Sequence, residues 1–281
     1  MSRSTTALTK RKSRIEIYAS KRGVHAVESP VRVQILSMVR EHEMPFEEIV
    51  AASGRAKSTI SVHLKGMVQD GILSSKPDPR DSRRKIFFIY SEYLGTLSPA
   101  DRVEEDVGAQ LLASLRDGGD TSQFFKALFR AIRLSLLREG ITIDPILRAA
   151  GLAVGRALYP AVGDPDLART IAHLSDFWKR HGLGRLVTVS LSPVTIDIFD
   201  CFECQDLPKI GKPACAFDAG ILAGIFESYF GNQLVVTETH CYAMGNSHCR
   251  FEIANRGRES RTTRQAIRRQ ADAAVRSQGR G

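Results

Sequence analysis

The feature that most constrains the fold is a run of three short helical patterns followed by two strands. Apolar residues recur with helical spacing over 31–39, 45–52 and 57–70, and Gly71 is placed to end the third helix as a C-cap. Ser29 and Pro30 suit the start of the first helix. Strands are predicted at 72–75 and 84–90, on either side of a turn-rich, basic loop. Such a chain forms a small helical core with a hairpin beside it.

The third helix has two chemically different faces. Ile60, Leu64 and Met67 form an apolar stripe, whereas polar and basic residues occupy the rest of the surface. A helix that enters the major groove of DNA needs this division, and a basic hairpin can contact the backbone beside it. The pattern therefore predicts a winged helix-turn-helix. The predicted DNA contacts are Lys57, Ser58, Thr59, Ser61, His63 and Lys65 on the helix, and Arg80, Arg83, Arg84 and Lys85 on the wing.

The net charge of +9 comes from the two ends of the chain. Residues 1–22 and residues 256–281 each carry a net charge of +6, which leaves about −3 for residues 23–255. Basic ends of this kind are often solvated arms. We therefore predict a disordered basic arm at 1–22 and an Arg-rich tail at 256–281, and we give the total charge little weight as evidence for DNA binding.

The remaining chain divides into a winged-helix domain at 23–97, a polar linker at 98–120 and a second domain at 121–255. The second domain mixes predicted helices with alternating, β-branched strands, so the fold class is α+β with an α/β second domain. The sequence has no run of 18 apolar residues and no apolar segment of a secretory signal near Met1. We expect a cytoplasmic protein with no membrane partner, whose thiols are reduced.

All five cysteines fall in the second domain, between residues 201 and 249. Cys201 and Cys204 form a C-x2-C pair, Cys215 starts a predicted helix, and Cys241 and Cys249 flank a turn between two strands. Spacing alone leaves three interpretations open, namely a zinc site, a redox relay or a group of buried thiols.

The first domain resembles the ArsR-type winged helix. The similar stretches are residues 29–36 (SPVRVQIL), 58–65 (STISVHLK) and 70–73 (DGIL). Many ArsR proteins bind metal through cysteines of the winged-helix domain, but this domain contains no cysteine. The resemblance therefore implies DNA binding, with the signal sensed elsewhere in the chain.

The second domain resembles the 4-vinyl-reductase domain from about residue 124 to residue 253. The similar stretches are residues 211–220 (GKPACAFDAG), Gly231 and residues 238–251 (ETHCYAMGNSHCRF). In phenol-sensing regulators with this domain, three cysteines and one glutamate hold zinc. The resemblance implies that Cys215, Cys241, Cys249 and Glu203 are the ligands here, although the loop after Glu203 is shorter than in the family. Three sulfurs and one oxygen suit a closed, structural Zn2+ site.

The combination of the two domains resembles the MsvR regulators of methanogens, which respond to redox state through cysteines of the sensor domain. This resemblance implies that Cys201 and Cys204 are redox partners of the zinc ligands. The leading hypothesis is a homodimeric regulator that binds a two-fold operator in double-stranded DNA and senses redox state.

Two other hypotheses remain. In the first, the same DNA-binding domain is controlled by a small apolar or aromatic effector, with zinc purely structural. Phe177 and Trp178 would line its pocket, although ordinary core is the favoured interpretation of these residues. In the second, the domain is an enzyme of vinyl reduction or an accessory to one. The sequence contains no dinucleotide-binding glycine motif, no P-loop and no defensible Ser/His/Asp arrangement. We therefore predict that the protein is not an enzyme.

Overall fold

The structure, a computed structural model, describes residues 14–98 and 121–255 of the 281-residue chain. The described residues form two compact units, the first with 14–98 and 136–143 and the second with 121–135 and 144–255. Both units combine helices with antiparallel sheets, which confirms the α+β class. Most of the predicted N-terminal arm, all of the linker except Ser98, and the predicted Arg-rich tail lie outside the described residues.

The first unit contains the predicted helices and hairpin. Its helices are α1 (Pro30–Glu41), α2 (Phe46–Ser53) and α3 (Lys57–Gln69). Its strands are β1 (Ile15–Ser20), β2 (Gly23–Val27), β3 (Met44–Pro45), β4 (Leu73–Asp78), β5 (Asp81–Ile89), β6 (Glu92–Leu97) and β7 (Ile141–Thr142). They form two sheets, ordered β2-β1-β6-β7 and β3-β5-β4. The hairpin strands are longer than predicted, so the turn between them contains only Pro79 and Arg80.

The predicted disordered arm is wrong for residues 15–22. Strand β1 pairs with β2 on one side and with β6 on the other, and its Glu16 and Tyr18 side chains are fully buried. The Tyr18 hydroxyl donates to Glu16 Oε2 at 2.7 Å, and Arg40 Nη2 lies 3.3 Å from Glu16 Oε1. This polar network attaches the strand to α1, and it explains how a charged residue can occupy the inner face of a sheet.

The second unit places helices beside one antiparallel sheet. Its helices are α4 (Thr121–Arg138), whose last three residues belong to the first unit, α5 (Asp144–Val162), α6 (Leu167–Arg180) and α7 (Ala216–Phe230). Its strands are β8 (Arg185–Leu191), β9 (Val194–Phe199), β10 (Leu234–His240) and β11 (Cys249–Asn255), in the order β10-β11-β9-β8. Helix α6 packs on β8, and α7 packs on β10.

Helices α5 and α7 approach each other closely through glycines on both. A Cβ atom added at Gly155 would lie 2.1 Å from the carbonyl oxygen of Ile221, and one at Gly220 would lie 2.3 Å from that of Arg148. No rotamer change relieves a clash with backbone, so this contact requires glycine. The contact holds α7, and with it the cysteine at its N-terminus, in a fixed position against α5.

We expect Gly155→Ala to destabilise the second unit by about 3 kcal/mol, at the upper end of the usual cost of overpacking. Trp178 is the only tryptophan of the chain and lies fully buried in the core of this unit, so its fluorescence during urea unfolding reports on this unit. Ala153→Ser, at an exposed position of the same helix, should change the free energy of unfolding by less than about 0.5 kcal/mol. Equal stability of the two variants would contradict the close contact.

Within the described ranges, no helix combines the length and the apolar character needed to cross a membrane.

Candidate functional site

Helix α3 has one buried, apolar face and one exposed, polar face, as its sequence predicts. Ile60, Leu64 and Met67 are buried in the core of the first unit. The predicted DNA contacts of this helix lie on the opposite side. Of these, Lys57, Ser58, Thr59, Ser61 and Lys65 are exposed, and His63 is partly exposed.

The wing presents its predicted cations to solvent. Arg80, Arg83, Arg84 and Lys85 are all exposed, and the two aspartates of the hairpin order its tip. The Asp78 carboxylate accepts the Arg80 backbone N–H at 2.9 Å, and the Asp81 carboxylate accepts that of Arg83 at 3.1 Å. The Arg83 side chain also donates to Asp81 at 3.2 Å, which lowers the pKa of that carboxyl. Surface pairs of this kind are weak, so the arginines remain available to phosphates.

Four buried cysteines of the second unit converge from three parts of the chain. Cys204 lies in the turn after β9, Cys215 is the N-cap residue of α7, Cys241 follows β10, and Cys249 begins β11. A short 3₁₀ helix at Tyr242–Met244, ended by Gly245 in the left-handed conformation, brings Cys241 back toward Cys249. The adjacent strands and the packed helix thus fix the positions of the thiols.

The distances between these sulfur atoms suit a shared metal ion. Cys215 Sγ lies 3.6 Å from Cys249 Sγ and 3.9 Å from Cys241 Sγ, and the Sγ atoms of Cys204 and Cys249 are 3.2 Å apart. Two thiolates on one tetrahedral Zn2+ are separated by about 3.8 Å, given Zn–S bonds of about 2.3 Å. The donor atoms of Cys204, Cys215, Glu238, Cys241 and Cys249 all lie within 4.8 Å of one another. The cluster can therefore hold a metal ion.

Glu203, the predicted carboxylate ligand, does not lie in this group. Its Oε1 accepts from Arg133 and from the Phe217 backbone N–H, both at 3.1 Å, and its Oε2 accepts from the Asp218 backbone N–H at 3.0 Å. Both carboxylate oxygens are therefore engaged at the N-terminus of α7, where an anion is favoured. Arg133 also donates to the Ala214 carbonyl at 2.9 Å, so it links α4 to the segment before α7.

Glu238 occupies the position expected for Glu203. It lies on β10, its Oε2 accepts the Cys215 backbone N–H at 2.9 Å, and its buried Oε1 has no hydrogen-bond partner among the described residues. One carboxylate oxygen of Glu238 lies within 4.8 Å of the four sulfurs, so this residue can coordinate a metal ion that they hold. We therefore replace Glu203 by Glu238 in the expected donor set.

Cys201 falls outside the larger donor group, although it belongs with Cys204 to the predicted redox pair. The segment 202–206 after β9 is a turn. The Cys201 Sγ atom lies 3.6 Å from Cys215 Sγ and 3.4 Å from Asp218 Oδ2, whereas Cys204 belongs to the larger donor group. Cys201 and Cys204 therefore belong to two different donor groups, which share Cys215.

Burial makes negative charge costly on the three carboxyl groups beside these sulfurs. It raises the pKa of Glu203 to about 8, against the lowering effect of Arg133, and it raises the pKa of Asp218 and Glu238 well above their usual range. Burial also raises the pKa of the Cys215 thiol. A cation held by the cluster would stabilise the ionised forms of these thiols and carboxyl groups.

Histidines and the buried tryptophan play no part in the donor groups. His240 and His248 stack at 5.3 Å, and His248 Nε2 lies 3.6 Å from Asp197, but neither ring belongs to a described metal-ligating group. Trp178 is fully buried in the core of the second unit, with Phe177 packed against that core. This agrees with the favoured interpretation of these two residues as core.

Asp218 and Glu238 were missed by reasoning from sequence. Asp218 follows Cys215 by three residues, a spacing that places both on one side of a helix, and this signal could have identified it. Glu238 precedes Cys241 by three residues at the end of a strand, where a bulge between Glu238 and His240 alters the alternation. Spacing alone could not have chosen it over Glu203.

Comparison with known proteins finds a family match within each unit. The model of the 4-vinyl-reductase domain matches residues 194–255, and the model of "Bacterial regulatory protein, arsR family" matches residues 29–75. An uncharacterized protein of Methanocaldococcus jannaschii is 37% identical over 129 residues, which are 45% of this chain and 75% of that protein. This chain is a 4-vinyl-reductase-domain protein with an arsR-family domain. The predicted combination is thereby confirmed, and the 4-vinyl-reductase match contains all five cysteines.

The 4-vinyl-reductase domain also has more distant relatives. The bacteriochlorophyll synthase 23 kDa chain of Cereibacter sphaeroides is 31% identical over 134 residues, covering 40% of this chain and 61% of that one. The crystal structure of a vinyl-4-reductase family protein from Methanocaldococcus jannaschii has a TM-score of 0.35 and 23% identity, and it covers 54% of this chain and 96% of the other. The arsR-family domain suggests DNA-binding regulation, and the cysteine cluster of the 4-vinyl-reductase domain can bind metal.

Proposed function

We propose that this protein is a transcription regulator that binds an operator through α3 and the wing, and that its 4-vinyl-reductase domain senses redox state through a zinc-thiolate site. The observation that carries the DNA-binding part is the polar, exposed face of α3 beside a wing with four exposed cations. The donor group of Cys204, Cys215, Cys241, Cys249 and Glu238 supports the sensor part.

Zinc fits the donor set better than a hard cation does. Thiolates select zinc, copper(I) or iron–sulfur clusters, whereas magnesium and calcium prefer oxygen. Four sulfurs and one carboxylate within 4.8 Å of one another are enough to fill the coordination of the ion, so we propose a structural ion and not a catalytic one. For this reason we also propose that the chain is a regulator and not an enzyme.

A homodimer is the expected DNA-binding form. Two copies of α3 separated by about one helical turn of DNA, roughly 34 Å, would bind the two halves of a symmetric operator. Analytical ultracentrifugation of the reduced protein should give twice the mass of one chain, and a symmetric operator should bind two chains.

The wing should contribute to the electrostatic part of DNA binding. Arg83→Ala combined with Arg84→Ala should weaken binding and flatten the dependence of log K on log salt by roughly one unit for each phosphate that the wing no longer neutralises. Fluorescence anisotropy with a labelled duplex at several salt concentrations measures this slope. The charge-matched control is Lys179→Ala combined with Arg180→Ala, exposed on α6, and it should leave the slope unchanged. A slope unchanged in the wing variant would remove the wing from the interface.

Helix α3 should determine which sequence is bound. Ser58→Ala combined with Ser61→Ala should reduce the ratio of operator affinity to random-duplex affinity by roughly tenfold, since contacts to base edges discriminate among sequences and phosphate contacts do not. Competition between an operator selected from random duplexes and unselected DNA measures this ratio. Equal weakening of both affinities would mean that these serines do not contact bases.

A further inference from the structure

A second group of metal-ligating side chains lies beside the first. One donor atom each from Cys201, Cys215 and Asp218 lies within 4.8 Å of the other two, and all three side chains are buried. Cys215 belongs to both groups. The distance of 3.6 Å between the Cys201 and Cys215 sulfurs is close to the edge of about 3.8 Å expected for two thiolates on one Zn2+.

Asp218 supplies an independent indication of a ligand. Its side chain is fully buried, its Oδ2 lies 3.4 Å from Cys201 Sγ, and its Oδ1 has no hydrogen-bond partner among the described residues. A buried carboxylate with an unpartnered oxygen requires either a proton or a cation.

The backbone around Asp218 keeps its carboxylate directed at the sulfurs. The Asp218 N–H is bound to Glu203, so the first turn of α7 is fixed by a partner on the cysteine turn. Cys215 and Asp218 are separated by three residues at the start of this helix, which places both donors on the same side. The two thiols and the carboxylate therefore face one point without rearrangement of the chain.

We propose that Cys201, Asp218 and Cys215 bind a second Zn2+ ion, with the Cys215 thiolate bridging it to the ion held by Cys204, Cys241 and Cys249. Asp218 can contribute both oxygens and so complete four-coordination. Binding displaces one proton from the Cys201 thiol and one from the Asp218 carboxyl, and no atom changes oxidation state. This proposal rests on the proposed function, because Cys215 is shared with the first ion.

The second ion should be the weaker of the two. Only three side chains hold it, against four cysteines and a glutamate available at the first site. A chelator should therefore remove it first, and Cys201 should become reactive toward an alkylating reagent at the same step.

The test is metal binding by the full chain, prepared under reducing conditions, stripped with a chelator and titrated with Zn2+ or Co2+. We expect two ions per chain for the unsubstituted protein and one for Cys201→Ser and for Asp218→Asn. Asp176→Asn, an exposed carboxylate on α6, is the matched control and should retain two. Because a thiolate bridge couples two Co2+ ions magnetically, the electron paramagnetic resonance signal of the two-cobalt protein should fall below that of two isolated ions.

The possible outcomes distinguish failure of the second metal site from failure of the proposed function. One ion in the unsubstituted protein, unaffected by Cys201→Ser, overturns the second site and leaves the first intact. No bound ion overturns the metal site of the proposed function itself. Two ions in both Cys201→Ser and Asp218→Asn place the second ion elsewhere and overturn the assignment. If a variant does not fold, the cobalt titration of the unsubstituted chain still decides, since uncoupled spins contradict a bridge through Cys215.

Discussion

Cys241→Ser and Cys249→Ser are each expected to lose the bound zinc and to unfold, or nearly unfold, the 4-vinyl-reductase domain. The apparent binding free energy of structural zinc is about 10 kcal/mol or more at neutral pH, whereas a whole domain is stable by only about 5–15 kcal/mol. Both residues are completely buried, so the empty site would also leave a cluster of buried polar groups without a cation. Emission from Trp178 reports the state of this domain, and elemental analysis gives the zinc content.

Two glutamate variants provide the matched control for this prediction. Glu203→Gln should keep the first zinc, because both oxygens of Glu203 bind Arg133 and the N-terminus of α7. Its cost should be a stability loss of about 3 kcal/mol, since the buried Arg133 would lose its nearest carboxylate and keep only Asp144, 3.8 Å away, and the Ala214 carbonyl. Glu238→Gln should instead weaken metal binding, because its carboxylate lies among the sulfurs. Zinc lost from Glu203→Gln but retained in Glu238→Gln would restore our sequence-based ligand set, and full zinc in Cys241→Ser and Cys249→Ser would overturn the site.

The contrast between Glu203 and Glu238 shows where sequence reasoning reaches its limit. The resemblance to the 4-vinyl-reductase domain predicted Cys215, Cys241 and Cys249 as ligands, and the structure places these three thiols in one donor group. Which glutamate lies among the sulfurs depends on which one pairs with Arg133. Glu203 does so, although the two residues are 70 positions apart in the sequence. That pairing is tertiary, and no spacing in the sequence encodes it.

The first unit contains one element that the sequence predicts and one that it does not. Helix α3 could be predicted from the sequence, because Ile60, Leu64 and Met67 recur with the period of a helix and so lie on one face of it. Strand β1 could not, because its buried face carries Glu16 next to Tyr18 in a basic segment. A charged residue is not expected on the buried face of a strand. Glu16 can lie there because Arg40, on α1, is its partner, and the sequence pattern does not reveal that pairing.

Oxidation is expected to join Cys201 to Cys215 and to release zinc. With hydrogen peroxide as the oxidant, the two thiolates lose two electrons and form one disulfide, while the peroxide takes two electrons and two protons and leaves as two molecules of water. The sulfurs of Cys201 and Cys215 lie 3.6 Å apart, and Cys201 is the one cysteine outside the larger donor group. Thiolates held by zinc are protected from mild oxidants, so the first attack should fall on Cys201 once its own ion has left.

The consequence for DNA binding follows from what surrounds this disulfide. It removes Cys215 from the first ion, so zinc should leave in step with the loss of free thiols. The turn that carries Cys201 also carries Glu203, whose partner Arg133 lies on α4, and the chain of α4 continues at residue 136 into the arsR-family unit. We expect operator affinity to change by roughly tenfold, within the usual range of coupling between two sites.

Peptide mass mapping should find the Cys201–Cys215 bridge, and Cys201→Ser should retain zinc at the first site and remain insensitive to peroxide. A disulfide between Cys204 and Cys249, whose sulfurs are 3.2 Å apart, would keep the redox model and move the switch to that pair. Retained zinc, no disulfide and operator binding indifferent to oxidant would exclude redox sensing and make a small apolar effector the leading hypothesis for the 4-vinyl-reductase domain.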